Sequence, residues 1–436
     1  MKTIILKRLL LLALIAALGW SHATAQIFTN LYNFTGGSDG DYPRAGLVLS
    51  GNTLYGTTYF GGTNDSGTVF KINTDGTGFT NLYSFTGGTG SYPGGNLILS
   101  GNTLYGTTYY NTVFKINTDG TCFTTLHNFT GSDGVELRAG LVLSSNTLYG
   151  TTYIGGTGGA GTIFAVKTDG TDFTNLCNFT GGSDGDSPYG GLVLSGNTLY
   201  GTTEYGGGSS GPSDSGTIFA INTDGTGFTN LYSFSQVSYS SSLGYTNSDG
   251  AYPLTSLILS GNTLYGITSA GGTNGSGTVF AIDTNGTGFT NLYKLNYGTG
   301  DVGGNGPYGG VMLSGNTLYI TTGGIAAVSE INIDGTVYTN LYFPLDYPSS
   351  LVLSGNTLYG TTAFNTVFAL SLGPIPLHAQ SSGQNLILTW GNPAFSLQSA
   401  SALTGQWTTV SNAASPYTIS TTNAQAFFRL AYTNSP

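Results

Sequence analysis

One octapeptide theme constrains this chain more than any other feature. Gly-Asn-Thr-Leu-Tyr-Gly-Thr-Thr and its close variants place a Leu-Tyr pair at Leu54-Tyr55, Leu104-Tyr105, Leu148-Tyr149, Leu199-Tyr200, Leu264-Tyr265, Leu318-Tyr319 and Leu358-Tyr359. These seven copies stand 40 to 65 residues apart. A period of that size with four strands per unit is the signature of propeller blades.

Each unit divides into four predicted strands. In the first unit, strand A is 47–50 and Gly51-Asn52 turns it into strand B, 53–59. A Gly-rich loop of variable length leads to strand C, 68–73, and Asp75-Gly76 leads to strand D, 79–85. The Asp-Gly pair predicts a two-residue turn of the I′ kind. Its equivalents at Asp119, Asp169, Asp224, Asn285 and Asp334 are read as turn residues rather than catalytic ones. Apolar and aromatic residues on both strand faces predict sheets packed on both sides.

The copy count predicts ring closure. Strand D recurs from Phe28, Phe79, Phe123, Phe173, Phe228, Phe289 and Tyr338. The first copy precedes every strand A, and the last A–B–C set, 351–370, has no strand D after it. Pairing the two removes two sheet edges. The expected fold is therefore an all-β, seven-bladed β-propeller closed by the N-terminal strand, with a small C-terminal β-sandwich-like module.

The repeated Gly-Asn-Thr-Leu-Tyr-Gly-Thr-Thr, Gly-Thr-Val-Phe-Lys-Ile-Asn-Thr-Asp-Gly-Thr and Phe-Thr-Asn-Leu-Tyr-Ser-Phe resemble the GloVer tandem repeat of "choice-of-anchor" exported bacterial proteins. The resemblance covers about residues 27 to 372. It implies export and an extracellular or surface setting, and it carries over no catalytic residue.

The flanks differ in texture. Lys2, Lys7 and Arg8, the apolar run 9–18 and Ala23-Thr24-Ala25 read as a signal peptide over residues 1–25. The propeller is expected over 26–372 and the C-terminal module over 373–436. The latter is similar to a fibronectin-III-like module, with Trp390 and Trp407 read as core residues. Cys122 and Cys177 replace different positions of the repeat, which argues against a disulfide between them.

Composition excludes some functions. A net charge of −10 with ten basic residues does not suit nucleic acid, whose binding requires clustered Lys and Arg. No segment after the N-terminal one is apolar enough for a membrane span. Gly-x-Ser-x-Gly occurs at 36–40, 181–185 and 207–211, but without the helix and His partner of a nucleophile elbow.

A binding or scaffold role is expected instead, with a glycan or a surface protein as the ligand. The D-to-A and B-to-C connections vary in length and share one face, where repeat arrays carry binding loops. Tyr42, Tyr92, Tyr189, Tyr252, Tyr308 and Tyr347 precede strand A on that face, as an expected ring of tyrosines interrupted in the third blade at Leu137. Their flat faces and hydroxyls suit sugars or peptides, and the competing reading is loop packing. Asp39 and Asp41, with Asp184 and Asp186, stand on Gly turns and offer oxygen ligands for Ca²⁺, the competing reading being a simple turn. The alternative function is an extracellular carbohydrate-active hydrolase or lyase with carboxylates meeting at the channel mouth.

Overall fold

The computed structural model describes residues 28–432, apart from 89, 209–214, 242–243, 296–308, 324–326, 343–344, 346, 373–377, 383–384, 390–394, 402–405, 411–412, 414–416 and 421–425. The expected signal peptide lies outside the described residues. The chain divides into two compact units: Phe28–Ser354 with Leu358–Leu370, and a second that takes in Ser371–Pro436.

The first unit contains seven four-stranded antiparallel sheets, and no helix occurs among the described residues. In the first sheet the strands are Val48–Ser50, Thr53–Thr58, Thr68–Asn73 and Thr80–Ser84, paired in chain order. The last sheet breaks the rule as the copy count requires. Val352–Ser354, Thr357–Thr362 and Thr366–Ser371 are completed by Phe28–Asn33, which pairs antiparallel with Thr366–Ser371. Each sheet remains open; none closes on itself into a barrel.

The strand C to strand D turn differs from the expected I′ type. Gly76 N–H donates to Asn73 O at 2.9 Å and Asn73 N–H to Thr77 O at 2.9 Å. Gly76 has φ 84°, whereas Asp75 is outside the positive-φ region. This is a three-residue loop: a type I turn followed by a left-handed glycine. Asp75 holds it by accepting from Thr77 N–H and Oγ1 at 2.9 and 2.7 Å, so its role is structural, as expected.

Packing explains the Leu-Tyr-Gly found in six of the seven units. Gly56 pairs across the ladder with Phe70, and a Cβ on Gly56 would stand 2.6 Å from the Phe70 ring. Phe70, Phe114, Phe164, Phe219, Phe280 and Phe368 all lie over such a glycine and are fully buried. The sixth sheet inverts the volumes: Ile320 replaces the glycine and its partner is Ser329. The buried clusters join the first six sheets in succession and the seventh sheet to the first. Phe70, Ile72 and Leu54 of the first sheet pack with Tyr359, Val367 and Ala369 of the seventh. On the outer strands, Tyr32 stacks on Phe79, Tyr83 on Phe123, and Tyr232 on Phe289, each pair within 4.0 Å and nearly parallel.

The second unit holds two three-stranded sheets. One is His378–Ser382, Asn385–Thr389 and Tyr417–Ser420; the other is Thr408–Thr409, Phe395–Ala400 and Phe427–Tyr432. Leu388 of one and Leu397 of the other form its buried centre. Trp407 is half-buried, and Trp390 lies outside the described residues.

Candidate functional site

Among the described residues, six connections into a strand A run beside the end of strand B, and one residue of each takes a left-handed backbone. These residues are Tyr42, Tyr92, Glu136, Ser187, Tyr252 and Tyr347, with φ between 49° and 62°. A left-handed backbone disfavours any side chain with a Cβ and normally selects glycine. Yet none of these six is glycine in a chain with 71 of them. Tyr42, Tyr92, Glu136, Ser187 and Tyr252 are clamped through both N–H and C=O. Tyr42 O accepts from Tyr59 N–H at 3.0 Å, and Tyr42 N–H donates to Asn365 Oδ1 of the seventh sheet at 2.6 Å. Glu136 N–H donates likewise to Asn111 Oδ1 at 2.8 Å.

This geometry corrects the expected tyrosine ring. Tyr42, Tyr92, Tyr252 and Tyr347 share one position, but the fourth connection places Ser187 there and Tyr189 two residues later. In the third blade the equivalent residue is Glu136, not Leu137, which is buried. Tyr308 lies outside the described residues. The register is ambiguous in sequence because Tyr-Pro and Pro-Tyr both occur before strand A, and the two orders displace the tyrosine by two residues.

A second set of side chains escaped the sequence reading. Tyr59, Tyr109, Tyr153 and Glu204 follow the final Thr of strand B, and Arg44, Arg138 and Tyr189 stand two residues after the left-handed position. Arg44 lies 5.0 Å over the Tyr59 ring and 5.7 Å over Tyr42. Arg138 lies 3.5 Å over Tyr153 and 5.2 Å over Tyr189, and pairs with Glu136 at 2.7 Å. Tyr153 OH donates to Glu204 at 2.8 Å. Burial, then Glu204, pushes the hydroxyls of Tyr153 and Tyr205 far above the ordinary phenol value. A sequence signal existed: Arg44 and Arg138 are the two arginines between residues 28 and 372.

Arg44, Tyr59, Tyr109, Arg138 and Tyr189 surround a cavity of about 200 Å³. They come from four successive repeat units, so the loops of four sheets converge on one space. A narrow crevice beside it brings Tyr42 and Tyr347 to Arg44. Other rings extend over the same class of loops. Tyr59 stacks on Tyr92 at 5.1 Å, Tyr92 meets Tyr110 at 5.1 Å, and Tyr205 meets Tyr252 at 5.4 Å. The hairpin Ser238–Ser240 with Gly244–Thr246 adds Tyr245, 6.3 Å from Tyr252, and Tyr239, 5.4 Å from Tyr245. Tyr239 and Tyr245 are 72% and 49% exposed.

The aspartates proposed for calcium sit in the strand D to strand A turns. Asp39 accepts from Thr35 N–H, Thr35 Oγ1 and Tyr32 OH at 2.9, 2.6 and 3.1 Å. Asp184 repeats the pattern with Thr180 at 2.8 and 2.6 Å. Asp41 bridges Phe60 through its backbone, and Asp186 accepts from Ser187 Oγ at 2.8 Å. No three His, Cys, Asp or Glu side chains converge as a metal set among the described residues. Cys122 is exposed and Cys177 half-buried, and both are free thiols.

Comparison with solved structures supports the propeller fold. Virginiamycin B lyase from Staphylococcus aureus matches over 80% of this chain and 99% of its own, at 14% identity and a TM-score of 0.55. A catalytically inactive form of that lyase with quinupristin matches over the same shares at 16% identity and a TM-score of 0.54. BamB from Moraxella catarrhalis covers 76% of this chain and 86% of its own, at 15% identity and a TM-score of 0.45. At such identities the likeness concerns the fold alone. No curated protein sequence matches this one. The family profile described as the Gloeobacter/Verrucomicrobia repeat matches residues 20–113 and 109–245. With more than half of its length covered by that profile and the same unit continuing to residue 370, the chain belongs to the Gloeobacter/Verrucomicrobia repeat family.

Proposed function

We propose that the seven sheets form one closed ring, exported from the cell, whose variable-loop face binds a carbohydrate. The left-handed positions carry this reading. Six strained backbones hold side chains where glycine would be easier, and four of those side chains are tyrosine. Strain kept at equivalent places on one face is a mark of function rather than of folding. The rings of Tyr59, Tyr92, Tyr252, Tyr245 and Tyr239 offer flat apolar faces with hydroxyl edges, which match the faces and hydroxyls of sugar rings.

A second reading rests on Glu136 and Glu204, which flank the Arg138–Tyr153 stack. A pair of carboxylates flanking the substrate is what a carbohydrate-active hydrolase uses.

A glycan array probed with residues 26–436, with and without calcium, tests the proposal. Binding lost in Tyr239→Ala and Tyr245→Ala supports it. Tyr92→Gly removes a ring while relieving its backbone, so loss of binding there with folding retained locates the contact. Dependence on calcium that disappears in Asp41→Asn and Asp186→Asn would assign these turns to the ion. Product release abolished by Glu136→Gln and Glu204→Gln would establish the enzyme reading instead. An empty array and no product would sink both.

A further inference from the structure

We propose that the ligand of this face is an acidic oligosaccharide, built from uronic acid residues, with one carboxylate held between Arg44 and Arg138. This rests on the carbohydrate reading above and specifies the substrate class. The first observation is placement. The chain carries a net charge of −10, and the propeller region holds only two arginines, on the first and third repeat units. Both border the same cavity. Arg138 is paired with Glu136, so what the two side chains bring to the opening is guanidinium hydrogen-bond donors rather than a net positive charge.

The second observation is preorganisation. The Arg138 guanidinium is laid 3.5 Å over Tyr153 and tethered to Glu136 at 2.7 Å, which fixes the plane of its fork. Its Nε is buried without a hydrogen-bond partner among the described residues. A guanidinium fork matches a carboxylate through two parallel hydrogen bonds, which an ammonium does not reproduce. The third is the lining between the arginines. Tyr59, Tyr109 and Tyr189 supply aromatic rings with hydroxyl edges, and no amide side chain stands among the lining residues. A carboxylate attached directly to a six-membered ring places its charge beside a stacking face, which is the combination this cavity offers.

Titration calorimetry with the mature chain decides the matter. The probes are trimers of galacturonate, glucuronate, mannuronate and guluronate, their neutral counterparts, and poly-glutamate. At least one uronate trimer is expected to bind about tenfold or more tightly than its neutral counterpart, and Arg44→Gln to remove that preference with unchanged melting. Arg44→Lys is expected to recover only part of it, since the charge returns without the fork. Arg138→Gln serves as the second variant, with its fold checked by circular dichroism. Equal binding of acidic and neutral trimers overturns this inference and leaves the carbohydrate reading standing. Poly-glutamate binding as tightly as the trimers assigns the site to acidic peptides and overturns it as well. No binding by any sugar removes both.

Discussion

Phe28 stacks on Tyr342 with ring centroids 4.3 Å apart and planes 12° from parallel. Phe28 opens the strand D supplied by the N-terminus, and Tyr342 ends the strand D of the sixth sheet. The contact is one of a series in which the fifth residue of each strand D stacks on the first aromatic of the next, including His127 on Phe173 at 3.6 Å and Tyr293 on Tyr338 at 4.1 Å. The series is interrupted where Cys177 stands in place of the aromatic residue.

Cys177→Tyr is therefore expected to complete the series against Phe228. The gain is about 0.5–1.5 kcal/mol, the usual worth of an aromatic pair. The new hydroxyl would also face Asp184, as Tyr32 OH faces Asp39. Denaturant unfolding of the variant measures the gain; a lower midpoint would show that the cavity at Cys177 cannot take the ring.

The glycine beneath each buried phenylalanine admits no side chain. Gly201→Ile would drive a branched group into a site where even a Cβ lies 2.5 Å from the Phe219 ring. Overpacking of this kind costs about 1–3 kcal/mol or more. The double variant Gly201→Ile/Phe219→Ser copies the Ile320–Ser329 pair of the sixth sheet and is expected to recover most of the loss. Thermal melting of the single and double variants reads the coupling.

Cys122 has φ 58° at the place where Gly78, Gly227 and Gly288 have φ between 66° and 69°. Cys122→Gly is expected to stabilise by about 1 kcal/mol, since L-residues are disfavoured by that order in the left-handed region. Because Cys122 is exposed, no packing is lost in exchange. An unchanged or lower melting temperature would refute the expectation.

Acid sensitivity should come from the turns. The hydroxyl and then the N–H of the threonine two residues on hold Asp75, Asp119, Asp169, Asp224 and Asp334 below the ordinary Asp value. A depressed folded-state value contributes stability above the unfolded value, about 3.9, and that contribution is lost as pH falls through the lower folded values. Glu330, raised by burial, acts with the opposite sign. The melting temperature is expected to hold from neutrality to about pH 4 and to fall below it. Asn285 makes the same two bonds to Thr287 without a titrating group, so Asp→Asn at the five turns is expected to flatten the profile.

Much of the fold was legible because repetition multiplies weak signals. One Leu-Tyr pair is uninformative, but seven of them set the unit, and the displaced strand D predicted the pairing of Phe28–Asn33 with Thr366–Ser371. The turn type was misjudged for a local reason. Asp-Gly is compatible with both I′ and type I plus a left-handed glycine, and the threonine that selects the second lies beyond the pair.

The sequence by itself determined the number of units, their four strands and the complementary deficit at the two ends of the repeat array, because these follow from pattern along the chain. Tertiary structure alone decided the site. Arg44 and Arg138 are separated by nearly a hundred residues, and Tyr59, Tyr109 and Tyr189 by fifty or more, yet all line one cavity. Spacing along a repeat says which residues are equivalent, and only the convergence of loops from successive sheets says which non-equivalent residues meet. The left-handed backbone at Tyr42 and Tyr92 was hidden for the same reason, since the hydrogen bonds that clamp it come from the preceding sheet.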